Sequence, residues 1–326
     1  MKRREFITAV GGAAATWPLA VRAQQSVMPV VGFLHGGLAD GFTREAASFR
    51  KGLSEVGRVV GRNIEIEYRW AEGHYDRLPE MALDLVRRKV AVIAAAPTAP
   101  ALAAKTATDT IPIVFELGVD PVAAGLVTSI SRPSGNVTGA TQMTADVGPK
   151  RLELAHELVP TARTIALLVN PTSPVAEKMM REMGAAARTL GINLEIERAT
   201  TASEIDDAFA AAQNSGAGAL VINSDPFFTS KDEQLAALTL HHKLPTIYQY
   251  RAFAAAGGLV TYGGSLIDTY RQAGIYTGRI LKGDKPADLP IVRAAKVELV
   301  INLKTAKAIG VTVPPAMLVR ADELIE

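Results

Sequence analysis

The chain has 326 residues, 48% hydrophobic and 21% charged, the balance of a folded soluble protein with room for two separate cores. Lys plus Arg number 35 against 33 Asp plus Glu, and a formal charge of +2 gives no reason to expect nucleic acid as a partner. There is no cysteine, which excludes disulfides, thiolate metal sites, thiol nucleophiles and an acylated N-terminal cysteine.

Lys2, Arg3 and Arg4 precede an uncharged run over 6–21 that ends in Val21-Arg22-Ala23, the small-x-small pattern of a signal peptidase site. A signal peptide over 1–23, cleaved after Ala23, and a periplasmic destination are expected. Gly11, Gly12 and Pro18 break the run, which is also short of the roughly 20 apolar residues a bilayer core requires. Arg3-Arg4-Glu5-Phe6-Ile7 resembles the twin-arginine export motif, although Lys2 and Thr8 depart from its commonest flanks. The general secretory route is the alternative. Cleavage removes four cations and one anion and leaves the exported chain at a formal charge of −1.

Beyond Pro29, short apolar runs alternate with amphipathic ones, the pattern of parallel strands covered by helices. A strand is predicted over 29–35. Phe42, Ala46, Phe49, Leu53 and Val56 then recur at spacings of three and four, one stripe of a helix. There follow a strand over 63–69, a helix over 75–88, a strand over 90–95, a helix from Thr98, a strand over 112–116 and a helix from Pro121. The same grammar restarts after Pro160, with strands over 164–170, 193–198 and 219–223 and helices over 175–190 and 203–215. Residues 61–67 (GRNIEIE) are echoed at 191–197 (GINLEIE), each after the first helix of its half; chance likeness between two helix-to-strand turns is the alternative.

The expected fold is therefore α/β, two doubly wound Rossmann-like lobes joined by a multi-strand hinge. Gly-flanked apolar stretches at 132–139 and 257–263, and a later one at 289–292, are the candidate crossings. They divide the chain into one lobe of 27–138 plus 264–290 and another of 139–263 plus 291–326.

Residues 119–127 (VDPVAAGLV), 136–139 (NVTG), 276–290 and 297–326 resemble a family of bacterial ABC-transporter solute-binding proteins that includes tryptophan-binding members. The resemblance covers the chain from about Val30 to Glu326. It implies the type I periplasmic-binding protein fold, two lobes closing on a small organic solute, and an ABC permease at the inner membrane as partner; a monomer is expected. No cofactor or metal is expected.

In open α/β sheets a ligand sits beyond the carboxyl ends of strands, where helix N-termini present unpaired N–H groups. The first such end holds His35, Gly36 and Gly37, where glycines allow close backbone approach, or simply form a turn. At the next, Thr98 caps a helix while Ala99 and its amide face a carboxylate. Glu116 can take a ligand cation or hydroxyl, and Asp120 before Pro121 reads as a helix cap or a ligand residue. In the second half Asn170, Asn223, Ser224 and Asp225 occupy equivalent strand ends, with Asp225 able to pair with an ammonium. Phe227, Tyr248 and Tyr262 offer aromatic faces, either to the cleft or to packing. Trp70, the only Trp after signal removal, lines the cleft or plugs the lobe edge. For an amino acid, the carboxylate is expected near Thr98 and the ammonium near Glu116 or Asp225.

The nucleophile elbow, phosphate-binding loop, dinucleotide fingerprint and zinc-helix motifs are absent from the sequence. His241-His242 point about 100° apart on a helix and make poor joint metal ligands. A solute receptor, not an enzyme, is the expected function. The alternative is a secreted enzyme using Glu116 or Asp225 for acid–base chemistry; a repressor core is more distant still.

Overall fold

The structure, a computed structural model, describes residues 28–133, 135–142, 147–293 and 297–326. The expected signal peptide lies outside the described residues.

The first sheet begins with β1 (Val30–His35), then α1 (Thr43–Glu55), β2 (Glu65–Trp70), α2 (Leu78–Arg87), β3 (Val92–Ala96), α3 (Thr98–Ala107), β4 (Ile113–Leu117) and β5 (Val137–Thr141). The second follows with α4 (Gly148–Leu158), β6 (Thr164–Val169), α5 (Ala176–Leu190), β7 (Asn193–Arg198), α6 (Ala202–Asn214) and β8 (Leu220–Ile222). It continues through α7 (Pro226–Thr229), α8 (Asp232–His242), β9 (Thr246–Tyr248), α9 (Arg251–Ala255) and β10 (Val260–Gly264). After α10 (Leu266–Ile280) come β11 (Val292–Arg293), β12 (Val297–Asn302), α11 (Leu303–Ile309), α12 (Pro315–Arg320) and β13 (Glu323–Ile325).

The strand orders are β11-β5-β4-β3-β1-β2 and β13-β12-β10-β9-β8-β6-β7. Without β11, β12 and β13 the two orders are the same, and the echoed segments 61–67 and 191–197 lead into equivalent edge strands, β2 and β7. The central strands β3, β4 and β6 are apolar because helices cover both sheet faces.

The first sheet takes in Val137–Thr141 and Val292–Arg293, so sheet membership runs slightly past the boundaries expected at 138 and 290. The chain passes between the sheets after β5, after β10 and after β11. From Pro121, instead of a helix, there are only turns, ending at Gly125 with φ +72. Asp120 Oδ1 accepts from the Val122 and Ala123 amides at 2.7 and 3.3 Å, capping this turn.

After leaving the second sheet, α10 returns to the first and lies directly on α1. A Cβ at Gly274 would stand 2.1 Å from the Phe49 carbonyl oxygen, and one at Gly52 2.0 Å from that of Arg271. Only glycine permits this backbone-to-backbone crossing. It carries Leu266, Thr269 and Tyr270 to the cleft edge of the first lobe.

Candidate functional site

The cavity between the lobes encloses about 630 Å3 of empty space, part of it open to the outside. Thr98, Ala99, Glu116, Ser224 and Asp225 line it, joined by residues the sequence reading did not select, notably Phe42, Tyr75, Tyr250 and Tyr270. The lobes touch around it. Tyr75 donates to Asp225 Oδ2 at 3.1 Å, Gly41 abuts Ser230, and Val119 packs on Met179 and Val175.

Thr98 is the first residue of α3 and makes no capping bond; the N-cap position falls to Pro97. Its hydroxyl and the amides of Thr98 and Ala99, which precede the first intrahelical bond, form a donor cradle at the positive end of a ten-residue helix.

Glu116, at the end of β4, is 2% exposed. Oε1 accepts from Gln142 Nε2 at 2.8 Å and Thr269 Oγ1 at 3.1 Å, while Oε2 takes no hydrogen bond among the described residues. Burial, reinforced by the nearby Glu45, outweighs these two bonds and lifts the Glu116 pKa to about 8. Glu116 thus presents a largely protonated carboxyl to the cavity at neutral pH.

Asp225 differs. Oδ1 accepts from Asn170 Nδ2 at 3.0 Å and the Phe227 amide at 2.9 Å, capping α7, and Oδ2 from Tyr75. Three protein donors thus occupy most of the carboxylate's lone-pair positions, and Ser173 lies beside it. Burial still raises its pKa. Asp225 is therefore a brace between the lobes, with little capacity left for a ligand ammonium.

His35 lies behind the cavity wall. Nδ1 accepts from the Gly37 amide at 2.8 Å, so the ring proton sits on Nε2, which donates to the Tyr270 hydroxyl at 2.7 Å. Complete burial depresses the His35 pKa to about 3 and keeps the ring neutral. With its oxygen accepting from His35, Tyr270 has its own proton to offer to the cavity.

The structure leaves the other candidates outside the lining. A Cβ on Gly36 would stand 3.0 Å from the Tyr75 ring and one on Gly37 2.4 Å from the Phe42 ring, so these glycines make room for lining aromatics. Trp70 stacks on Tyr68 at the sheet edge and meets the His35 ring at 4.8 Å. Asn170 holds Asp225. Asn223 is 5% exposed at the end of β8 without reaching the cavity, and Asp120 caps its turn. Phe227 and Tyr248 belong to the core of the second lobe, Tyr248 bonding Thr229 at 2.9 Å. Tyr262 packs against that lobe's other core, and its carbonyl accepts from Arg151 at 3.3 Å.

A sequence profile described as ABC transporter substrate binding protein matches residues 37–325. The chain belongs to this family. A relative described as a tyrosine-binding protein, from Clostridioides difficile (strain R20291), is 28% identical over 262 residues, 80% of this chain and 75% of the relative. A crystal structure of a conserved domain protein from Vibrio cholerae superimposes with a TM-score of 0.80 at 26% identity, covering 91% of this chain and 99% of that one. The ABC domain from Streptococcus pneumoniae in complex with L-Trp gives 0.78 at 24% identity over the same shares. These neighbours carry the type I periplasmic-binding fold, and the cavity lies between the lobes of this substrate-binding protein.

Proposed function

We propose that this substrate-binding protein is exported to the periplasm, closes on an aromatic L-amino acid and hands it unaltered to an ABC permease. The observation carrying this reading is the pairing, within one cavity, of a donor cradle at Thr98 and Ala99 with the bare Glu116 Oε2. The first suits a carboxylate, the second an ammonium. Phe42, Tyr75, Val119, Met179 and Leu266 supply apolar surface for a ring. Relatives described as tyrosine-binding or complexed with L-Trp point the same way. The N-terminal pattern at 2–23 supports export, with the twin-arginine route preferred.

Calorimetric titration with L-tyrosine, L-tryptophan and L-phenylalanine tests the reading, alongside tyramine, which lacks the carboxylate, and 3-(4-hydroxyphenyl)propionate, which lacks the ammonium. At least one amino acid is expected to bind, and each truncated analogue to lose about 2 kcal/mol or more. The bound compound should be recovered unchanged by mass spectrometry. Equal binding of the propionate would overturn the ammonium assignment, and recovery of a converted compound would favour acid–base catalysis.

A further inference from the structure

A second chamber adjoins the first, sharing Thr229, Gln249, Tyr250 and Leu266 as a common wall, and encloses about 1000 Å3 of empty space, part of it open. Each lobe places an acid in it. Glu45, in the first turn of α1, is only 8% exposed; its carboxylate is engaged by its own backbone amide but by no side-chain hydrogen bond or ion pair among the described residues. Asp232, which begins α8 in the opposite lobe, has a fully shielded Oδ1 with no hydrogen-bond partner.

The remaining charged groups facing the chamber are Asp40, Arg44, Arg251 and Glu298. Arg251 is engaged by both oxygens of Glu323, at 2.6 and 2.7 Å. Arg44 is exposed; its charge opposes part of the burial cost of both acids, without a hydrogen bond or ion pair to either among the described residues. Two shielded acids without hydrogen-bonded cations carry a desolvation cost that a matching ligand group would relieve. Among the described residues no three His, Asp or Glu side chains gather as a metal-ligand set, which favours an organic cation over a metal ion. An ammonium is compact and has three donors, so it can serve two carboxylates at once.

We propose that Glu45 and Asp232 form a subsite for a primary ammonium group, bridging the lobes beside the main cavity. The proposal deepens the amino-acid reading by extending the ligand class to compounds with a second amino group, and it is tested separately from that reading. Burial raises the Glu45 pKa; burial, reinforced by Glu45 and Glu233 and opposed by Arg44, lifts that of Asp232 to about 8, so a bound cation must displace a proton here.

The probe is 1,5-diaminopentane, titrated calorimetrically into the purified protein at pH 8.5 and pH 6, with 1-pentanol as the uncharged counterpart. The expected result is binding of the diamine but not the alcohol, weaker at pH 6, and weakened about tenfold or more by Glu45→Gln and by Asp232→Asn. The two nearly isosteric variants report independently, so misfolding of one leaves the other informative. No binding to the wild-type protein, or affinity untouched by both substitutions, overturns the subsite. So does binding that tightens on acidification. L-Tyrosine titrated in parallel separates the two claims: its binding without the diamine overturns only the subsite, and the reverse outcome only the aromatic-ligand reading.

Discussion

If Glu116 receives the ligand ammonium, it must ionise to do so, which makes affinity dependent on pH in a calculable way. With a pKa of about 8 in the free protein, the carboxyl is only about one-tenth ionised at pH 7 and about one-hundredth at pH 6. Ligand binding to the carboxylate form should therefore strengthen about tenfold from pH 6 to 7 and about fivefold from 7 to 8, then level off. The same linkage requires release of close to one proton per ligand at pH 7. Titrating L-tyrosine in phosphate and in Tris, whose protonation heats differ widely, measures that proton directly. Glu116→Gln should flatten the pH profile, abolish the buffer dependence and cost on the order of 2 kcal/mol at pH 8. Equal affinity at pH 6 and 8 together with equal heats in both buffers would refute the assignment, since a ligand meeting the protonated carboxyl releases nothing.

Tyr75→Phe removes the hydroxyl that spans the lobes to Asp225 and should weaken L-tyrosine by about 1–2 kcal/mol in calorimetry, because the closed form loses a bond the open form lacks; unchanged affinity would remove Tyr75 from the closing contact. Gly274→Ala sets a methyl against the Phe49 carbonyl and should destabilise the protein by about 1–3 kcal/mol or more, read as a lower Tm by circular dichroism. An unaltered Tm would contradict the tight crossing of α1 and α10. Ligand-free stability should also fall between pH 6.5 and 8. Glu116 and Asp232, raised to about 8 in the folded chain, keep protons that their unfolded forms have lost, and each fully shifted group costs up to about 1.4 kcal/mol per pH unit there. His35, depressed to about 3, acts oppositely but only below its unfolded value of 6.5, outside this window. A Tm that holds or rises in differential scanning calorimetry would contradict the burial of these acids.

The strands and helices were legible because their periodicities report burial. Residues 193–198 read as a strand and form β7, and the stripe from Phe42 to Leu53 is buried against the first sheet. The duplication was legible too, since GRNIEIE and GINLEIE mark the same place in two sheets of like order. Side-chain direction was not. Tyr248 and Tyr250 are two residues apart, yet the first ends a strand and points into the core while the second, at the N-cap position of α9, reaches the cavity. Nothing local distinguishes them.

Strand ends pointed to Thr98, Ala99, Glu116, Ser224 and Asp225, which the structure places along the cavity, because a strand end is a sequence-local event. Tyr270 and Thr269 depend instead on α10 crossing back to the first lobe, a contact between residues more than 200 positions apart in the cases of Gly52 with Arg271 and Phe49 with Gly274. The division of labour between the two acids was equally hidden. Both lie at the carboxyl end of a parallel strand's path, but Asp225 is surrounded by donors from Asn170, Phe227 and Tyr75, whereas Glu116 keeps one oxygen bare. A carboxylate whose lone pairs are already filled holds lobes together; one with an empty side is available to a guest. That difference is set by which donors the fold brings near, so it can be read only once the two halves are assembled.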